Sequence, residues 1–199
     1  APILDYGSGM GLGAEELRKT FPNVKTLEPF YKGNFDFTDP SKVPSGEFKG
    51  LTNFSVLNAV TPEVRDSIVE NIGRVMDRGG VGLITARSPS AVMSTKGMLA
   101  DEPNAMITQK GTYQKGFDTD ELREYIKYIL GSDFEYEPLK GLSGTSVKVK
   151  KKAEGGTIAD DAEEYGQQLK EQRKSLGSDI LKSGRRGITE GLGNIYQSA

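Results

Sequence analysis

The 199-residue chain contains no cysteine and no histidine. Without cysteine there are no disulfides, no thiolate metal ligands and no cysteine nucleophile. Without histidine there is no imidazole base, which excludes a Ser-His-Asp triad and any His-bearing zinc site. No metal site is expected. No run approaches the ~18 apolar residues of a membrane-spanning helix, and no basic-then-apolar leader opens the chain. The expected setting is therefore the cytoplasm, with no membrane partner. A dominant charge is also missing. The 26 Lys and Arg against 28 acids leave a net charge of −2, so nothing draws the whole chain toward nucleic acid, although a local patch stays open. Hydrophobic residues make up 35%, enough for the core of about one domain.

What is present begins abruptly. Ala1-Pro2-Ile3-Leu4 enters an apparent strand with no initiator methionine, as a piece of a longer polypeptide would. At the other end, composition changes after Val149. Lys150-Lys151-Lys152 leads to Gly155-Gly156 and a polar, apolar-poor remainder. These shifts predict a folded domain over 1–152, then a linker, an amphipathic helix and a flexible tail over 153–199.

Between these limits the patterns alternate. Pro2–Tyr6 reads as a buried strand running into Gly7-Ser8-Gly9-Met10-Gly11-Leu12-Gly13, with a helix over Ala14–Thr20 stopped by Phe21-Pro22. Val24–Glu28 is a second strand, and Phe35-Asp36-Phe37 a short third. The apolar run Leu51–Val60 suits a strand covered on both faces. Thr61-Pro62-Glu63 then starts a helix carrying Val64, Ile68, Ile72, Val75 and Met76, which Arg78-Gly79-Gly80 ends. Val81–Ala86 is the next strand. Asp118-Thr119-Asp120-Glu121 opens a helix as a capping box, and Gly131 closes it. Phe134–Glu137 and Thr145–Lys150 alternate as an antiparallel hairpin does. The order predicts an α/β fold with a doubly wound, mostly parallel sheet and a closing antiparallel hairpin.

Glycines after the first strand let backbone approach a ligand at the carboxyl edge of such a sheet. A dinucleotide fingerprint counted from Gly7 meets Leu12 where the third glycine belongs; counted from Gly9 it meets Ala14, a tolerated variant. The fuller pattern is Asp5, Gly7, Gly9 and Gly11 at alternate positions. These residues resemble motif I of the class I S-adenosylmethionine-dependent methyltransferases. The resemblance implies a Rossmann-like methyltransferase fold, S-adenosylmethionine as cofactor and a ribose-binding carboxylate at Glu28. An ionised carboxylate suits a vicinal diol, because it accepts two hydrogen bonds side by side. The bland alternatives are a simple turn and a solvated strand end. Met76-Asp77-Arg78-Gly79-Gly80 resembles the turn that precedes the fifth strand in that family. Val56-Leu57-Asn58-Ala59-Val60 with Arg65, and Gly111-Thr112-Tyr113-Gln114-Lys115 with Glu121-Leu122, are similar to the methyltransferases associated with DNA phosphorothioation.

Methyl transfer from a sulfonium is an in-line displacement that alignment and desolvation can drive without a fixed catalytic residue. No catalytic residue is assigned. The missing cysteine excludes cytosine C5 chemistry. Asn58-Ala59-Val60-Thr61 lacks the prolines and aromatic expected for amino-methylation of bases. An oxygen or nitrogen of a small-molecule or macromolecular acceptor remains, with nucleic acid weakly supported. Asn58 either contacts the cofactor or acceptor or is a turn residue before the helix. Arg87, at the end of the following strand, suits an anionic substrate or is an exposed arginine. Residues 88–117 form a long insertion, read as a lid with a small hairpin or as a solvated excursion. Tyr113, Gln114 and Lys115 are its candidate acceptor contacts. Beyond the domain, Ile158, Ala162, Tyr165, Leu169 and Leu176 make a thin apolar stripe over 157–176 suited to a protein partner. A methyltransferase-shaped interaction module of a phage or mobile-element polyprotein, acting in the host cytoplasm, is the competing expectation.

Overall fold

The computed structural model describes residues 1–139 and 144–153; the expectations for 157–176 and for the tail fall outside them. Nine strands and four helices follow one another in these residues. They are β1 (Ile3–Tyr6), α1 (Leu12–Arg18), β2 (Val24–Leu27), β3 (Phe48–Phe54), α2 (Pro62–Val75), β4 (Met76–Ala86) and α3 (Pro89–Met93). The remainder are β5 (Gly97–Leu99), β6 (Ala105–Thr108), β7 (Tyr113–Lys115), α4 (Thr119–Leu130), β8 (Phe134–Leu139) and β9 (Thr145–Lys151).

Six strands form the main sheet in the order β2-β1-β3-β4-β9-β8. The first four run parallel and the β8–β9 hairpin closes the edge antiparallel. Strand order reverses at β1, and the crevice outside its carboxyl end is where open α/β sheets bind ligands. α2 and α4 cover one face. Leu4, Tyr6, Leu51, Ile84, Val147 and Val149 meet Ile68, Ile72, Leu122 and Ile126 there in the core. On the other face Phe54 and Val81 stay exposed, and Leu83 and Thr85 are half-buried.

Several boundaries differ from expectation, and the main differences have identifiable reasons. α2 ends at Val75, and Met76 already pairs with Phe48 as the first residue of β4. The Gly79-Gly80 pair is a bulge within that strand: Gly79 has φ 73°, and the register jumps from Phe48/Met76 to Gly50/Val81. β3 stops at Phe54 because Ser55 takes φ 57° and turns the chain into a short 3-10 segment, Leu57–Ala59. Leu57 is buried there in a turn, not in a strand. The expected strand at Phe35–Phe37 reduces to one bridge, Leu27 to Phe37. There the Asp36 carboxylate takes the Thr26 N–H (2.9 Å) and hydroxyl (3.0 Å), so a side chain occupies the β2 edge that a ladder would use.

The insertion between β4 and α4 is a second sheet of three antiparallel strands, β5-β6-β7. No helix among the described residues is long and apolar enough to cross a membrane.

Candidate functional site

The loop from β1 to α1 turns on Gly7, Gly9 and Gly11, with φ of 81°, 56° and 85°. All three lie in the left-handed region that side chains avoid. Their surroundings differ. A Cβ on Gly7 would sit 2.4 Å from a Val56 methyl, so this glycine seats the loop against the end of β3. A Cβ on Gly9 or Gly11 would meet nothing within 4 Å. Their backbone faces open space.

Asp5 lies beneath the loop, 4% exposed, and accepts a 2.7 Å hydrogen bond from the Thr52 hydroxyl across the β1–β3 register. Burial raises its pKa above the ordinary carboxylate value, against the opposing hydrogen bonds from Thr52 and Ser8. The Ser8 hydroxyl also closes on the Asp5 carbonyl at 2.8 Å.

Glu28 follows β2 directly and is also 4% exposed. One oxygen accepts from Gly9 N–H at 2.7 Å; the other accepts from Phe30 N–H at 2.8 Å and Tyr31 N–H at 3.3 Å. A carboxylate offers about four acceptor positions, so three backbone bonds leave room for roughly one more. A diol approaching Glu28 would displace the weakest of these, from the exposed Tyr31. Beside the loop lies a cleft of ≈ 350 Å³, lined by Gly9 to Gly11, Arg18 and Thr26 on one side and Tyr31 to Phe35 on the other. Open glycine backbone, a carboxylate at the end of β2 and this adjoining cleft suit an uncharged nucleoside moiety.

Asn58, 2% exposed, stands beyond the end of β3. Its Oδ1 accepts from Arg87 N–H at 3.3 Å and its Nδ2 donates to Gln114 Oε1 at 3.1 Å. The amide thus ties the rim of the main sheet to β7. Lys115 is 2% exposed, and its ammonium donates to Glu121 at 2.6 Å and to the Gly116 carbonyl at 2.9 Å, 4.8 Å from the Phe117 ring centre. Tyr113 donates its hydroxyl to Glu102. Burial, and next the hydrogen bond to Glu102, push that phenol above its ordinary pKa.

Arg65, 1% exposed at the start of α2, has a larger role than its sequence position suggests. It holds Glu102 through two bonds (3.0 and 3.1 Å), reaches the carbonyls of Leu57 (2.9 Å) and Val60 (3.1 Å), and stacks against Phe117 and Tyr125. Burial drives the Glu102 carboxyl upward, but hydrogen bonds from Arg65 and Tyr113 outweigh it and leave the pKa lowered. Only the burial of Arg65 would have signalled this partnership, and burial is not readable from one arginine in a helix pattern.

Solved structures share this architecture. A 1,6-didemethyltoxoflavin-N1-methyltransferase from Burkholderia thailandensis, solved with its substrate and S-adenosylhomocysteine, superposes with a TM-score of 0.58 at 14% identity. The match covers 76% of this chain and 71% of that one. An S-adenosylmethionine-dependent methyltransferase from Mesorhizobium loti gives 0.54 at 12% identity, over 75% and 90% of the two chains. CalS10, an amino pentose methyltransferase from Micromonospora echinaspora solved with S-adenosylmethionine, gives 0.52 at 16%, over 76% and 83%. No protein-family model matches the chain, and no curated protein matches it. At these identities the likeness is one of fold: the chain has the Rossmann-like methyltransferase fold.

Proposed function

We propose that the chain binds S-adenosylmethionine at the glycine loop and transfers its methyl group to an oxygen or nitrogen of an acceptor. The observation that carries the reading is the Glu28 carboxylate hydrogen-bonded to Gly9, beside loop backbone open to a ligand. When bound, the cofactor supplies a methyl group made electrophilic by a sulfonium. The chain's part is positional. Glu28 receives ribose hydroxyls, the backbone at Gly9 and Gly11 gives them close approach, and Asp5 with Thr52 fixes the loop from below. The segment from Val56 to Asn58, packed against Gly7, lines the side toward which the acceptor approaches. The neighbours solved with S-adenosylmethionine or S-adenosylhomocysteine support this choice of cofactor.

A second reading, a methyltransferase-shaped module without catalysis, draws on the three backbone bonds already held by Glu28. Calorimetric titration with S-adenosylhomocysteine separates the two. Binding by the wild-type chain, weakened by about 1.5–3 kcal/mol in Glu28→Ala, is expected, the scale of hydrogen bonds to a charged group. Affinity unchanged by the substitution would remove the ribose from Glu28. No binding at all would favour the module.

A further inference from the structure

Arg87 follows β4 at the same rim, and its surroundings set it apart. The other cations half-buried or deeper beside this site have counter-charges: Arg65 faces Glu102 and Lys115 faces Glu121. Among the described residues no carboxylate lies within ion-pair distance of Arg87. Its Nη2 donates to the Ala91 carbonyl at 2.7 Å and lies 3.5 Å from the Thr95 hydroxyl, and its Nη1 reaches Gln114 Oε1 only at 3.5 Å. The Nε–H has no protein acceptor among these residues. A guanidinium partly withdrawn from water and left without a counter-charge is favourable ground for an incoming anion.

A neutral donor is fixed beside it. The backbone N–H of Arg87 sets the Asn58 amide, since only an oxygen can accept that bond. Asn58 must then present Nδ2 to Gln114, which turns the Gln114 oxygen inward and leaves its NH₂ without an acceptor among the described residues. The Arg87 side chain approaches the same oxygen and reinforces this orientation. Charged and neutral donors therefore stand together at the carboxyl edge. β4 is two strands from β1, so at ~4.8 Å per strand Arg87 lies about 10 Å from the glycine loop. A small acceptor spans that interval.

We propose that Arg87 and Gln114 form a subsite for an oxyanion of the methyl acceptor, a carboxylate or a phosphate monoester. The word acceptor rests on the methyltransferase reading; the anion subsite does not. The test uses the full chain labelled with ¹⁵N, titrated with acetate, methyl phosphate and neutral acetamide at constant ionic strength. The Arg87 Nε–H and Gln114 side-chain amide resonances report binding, with and without S-adenosylhomocysteine. Saturable shifts at these groups with acetate or methyl phosphate, and none with acetamide, are expected. Saturation by acetate alone assigns a carboxylate, and by methyl phosphate alone a phosphate. Arg87→Gln weakens the saturating anion by about tenfold or more, and Gln114→Leu weakens it in the same direction. Arg87→Lys, which keeps the charge and loses the fork, falls between wild type and Arg87→Gln. Non-saturating shifts, or shifts that persist in Arg87→Gln, overturn the subsite. If S-adenosylhomocysteine binds and neither anion does, the subsite alone fails. If an anion saturates and S-adenosylhomocysteine does not bind, the cofactor reading fails and the subsite stands.

Discussion

The three loop glycines share a positive φ and differ in what a methyl group would meet. Gly7→Ala combines a left-handed φ with a 2.4 Å clash against Val56. The conformation costs about 1–2 kcal/mol and the overpacking about 1–3 more. Gly9→Ala carries only the first cost, because its Cβ would point into open space. Urea unfolding therefore should show Gly7→Ala as the more destabilised variant. Calorimetry should show Gly9→Ala losing S-adenosylhomocysteine affinity out of proportion to its stability; the reverse order would place the ligand elsewhere. The spacing of Asp5, the glycines and Glu28 was legible in the sequence because each sits within a few residues of a strand end. The Lys115 ammonium was not. Its partner Glu121 reads as the N3 residue of a capping box, and indeed the Glu121 N–H bonds Asp118 at 2.8 Å, but its side chain turns to Lys115.

At the scale of elements, the three-stranded insertion is held to the main body by Arg65–Glu102–Tyr113, Asn58–Gln114 and Lys115–Glu121. Its hairpin was legible as part of the long insertion over 88–117, and β6 and β7 form it. β5 was not, because Gly97-Met98-Leu99 has too few residues to show a period and remains exposed. The α2–β4 junction illustrates a related limit: Met76 continues the helical apolar spacing and equally begins a strand, so only pairing with Phe48 decides. Replacing Glu102 by Gln leaves the Arg65 charge buried without its partner. A loss of about 1.5–3 kcal/mol is expected. Because the folded pKa of Glu102 is lowered from 4.5, its ionised form stabilises the fold above that value. This contribution is lost as pH falls through the lower, folded pKa. Protection of the β6 and β7 amides from hydrogen exchange, relative to the unfolded rate at the same pH, should fall in that acid range in the wild type. In Glu102→Gln it should already be lower at neutral pH, with this acid step gone. Equal protection in both proteins would mean that the insertion is held by its other contacts.

For the molecule as a whole, the sequence pattern yielded the alternating order and the closing hairpin, since each strand is bounded by glycine, proline or a helix cap. It did not reveal that the two faces of the sheet are covered unequally. Leu83 and Ile84 are adjacent on β4 and point to opposite faces; Ile84 is fully buried and Leu83 is not. Ile84→Ala should cost about 2–5 kcal/mol in urea unfolding. Leu83→Ala should cost about 1 kcal/mol or less. Similar losses at both positions would show that something covers the second face in solution.

The pairing of β4 with β9 also bears on how the chain is made. Ala86 pairs with Thr145 and Val81 with Lys150, so the strand beside β4 is synthesised only after the entire insertion and α4. At about 5–20 residues per second, β4 waits roughly 3–14 s for its neighbour. Through that interval its free edge offers unpaired N–H and C=O groups to any passing strand, including those of other nascent chains. Codon choice that slows translation across the insertion would lengthen this window, and yield of dispersed protein would fall with it.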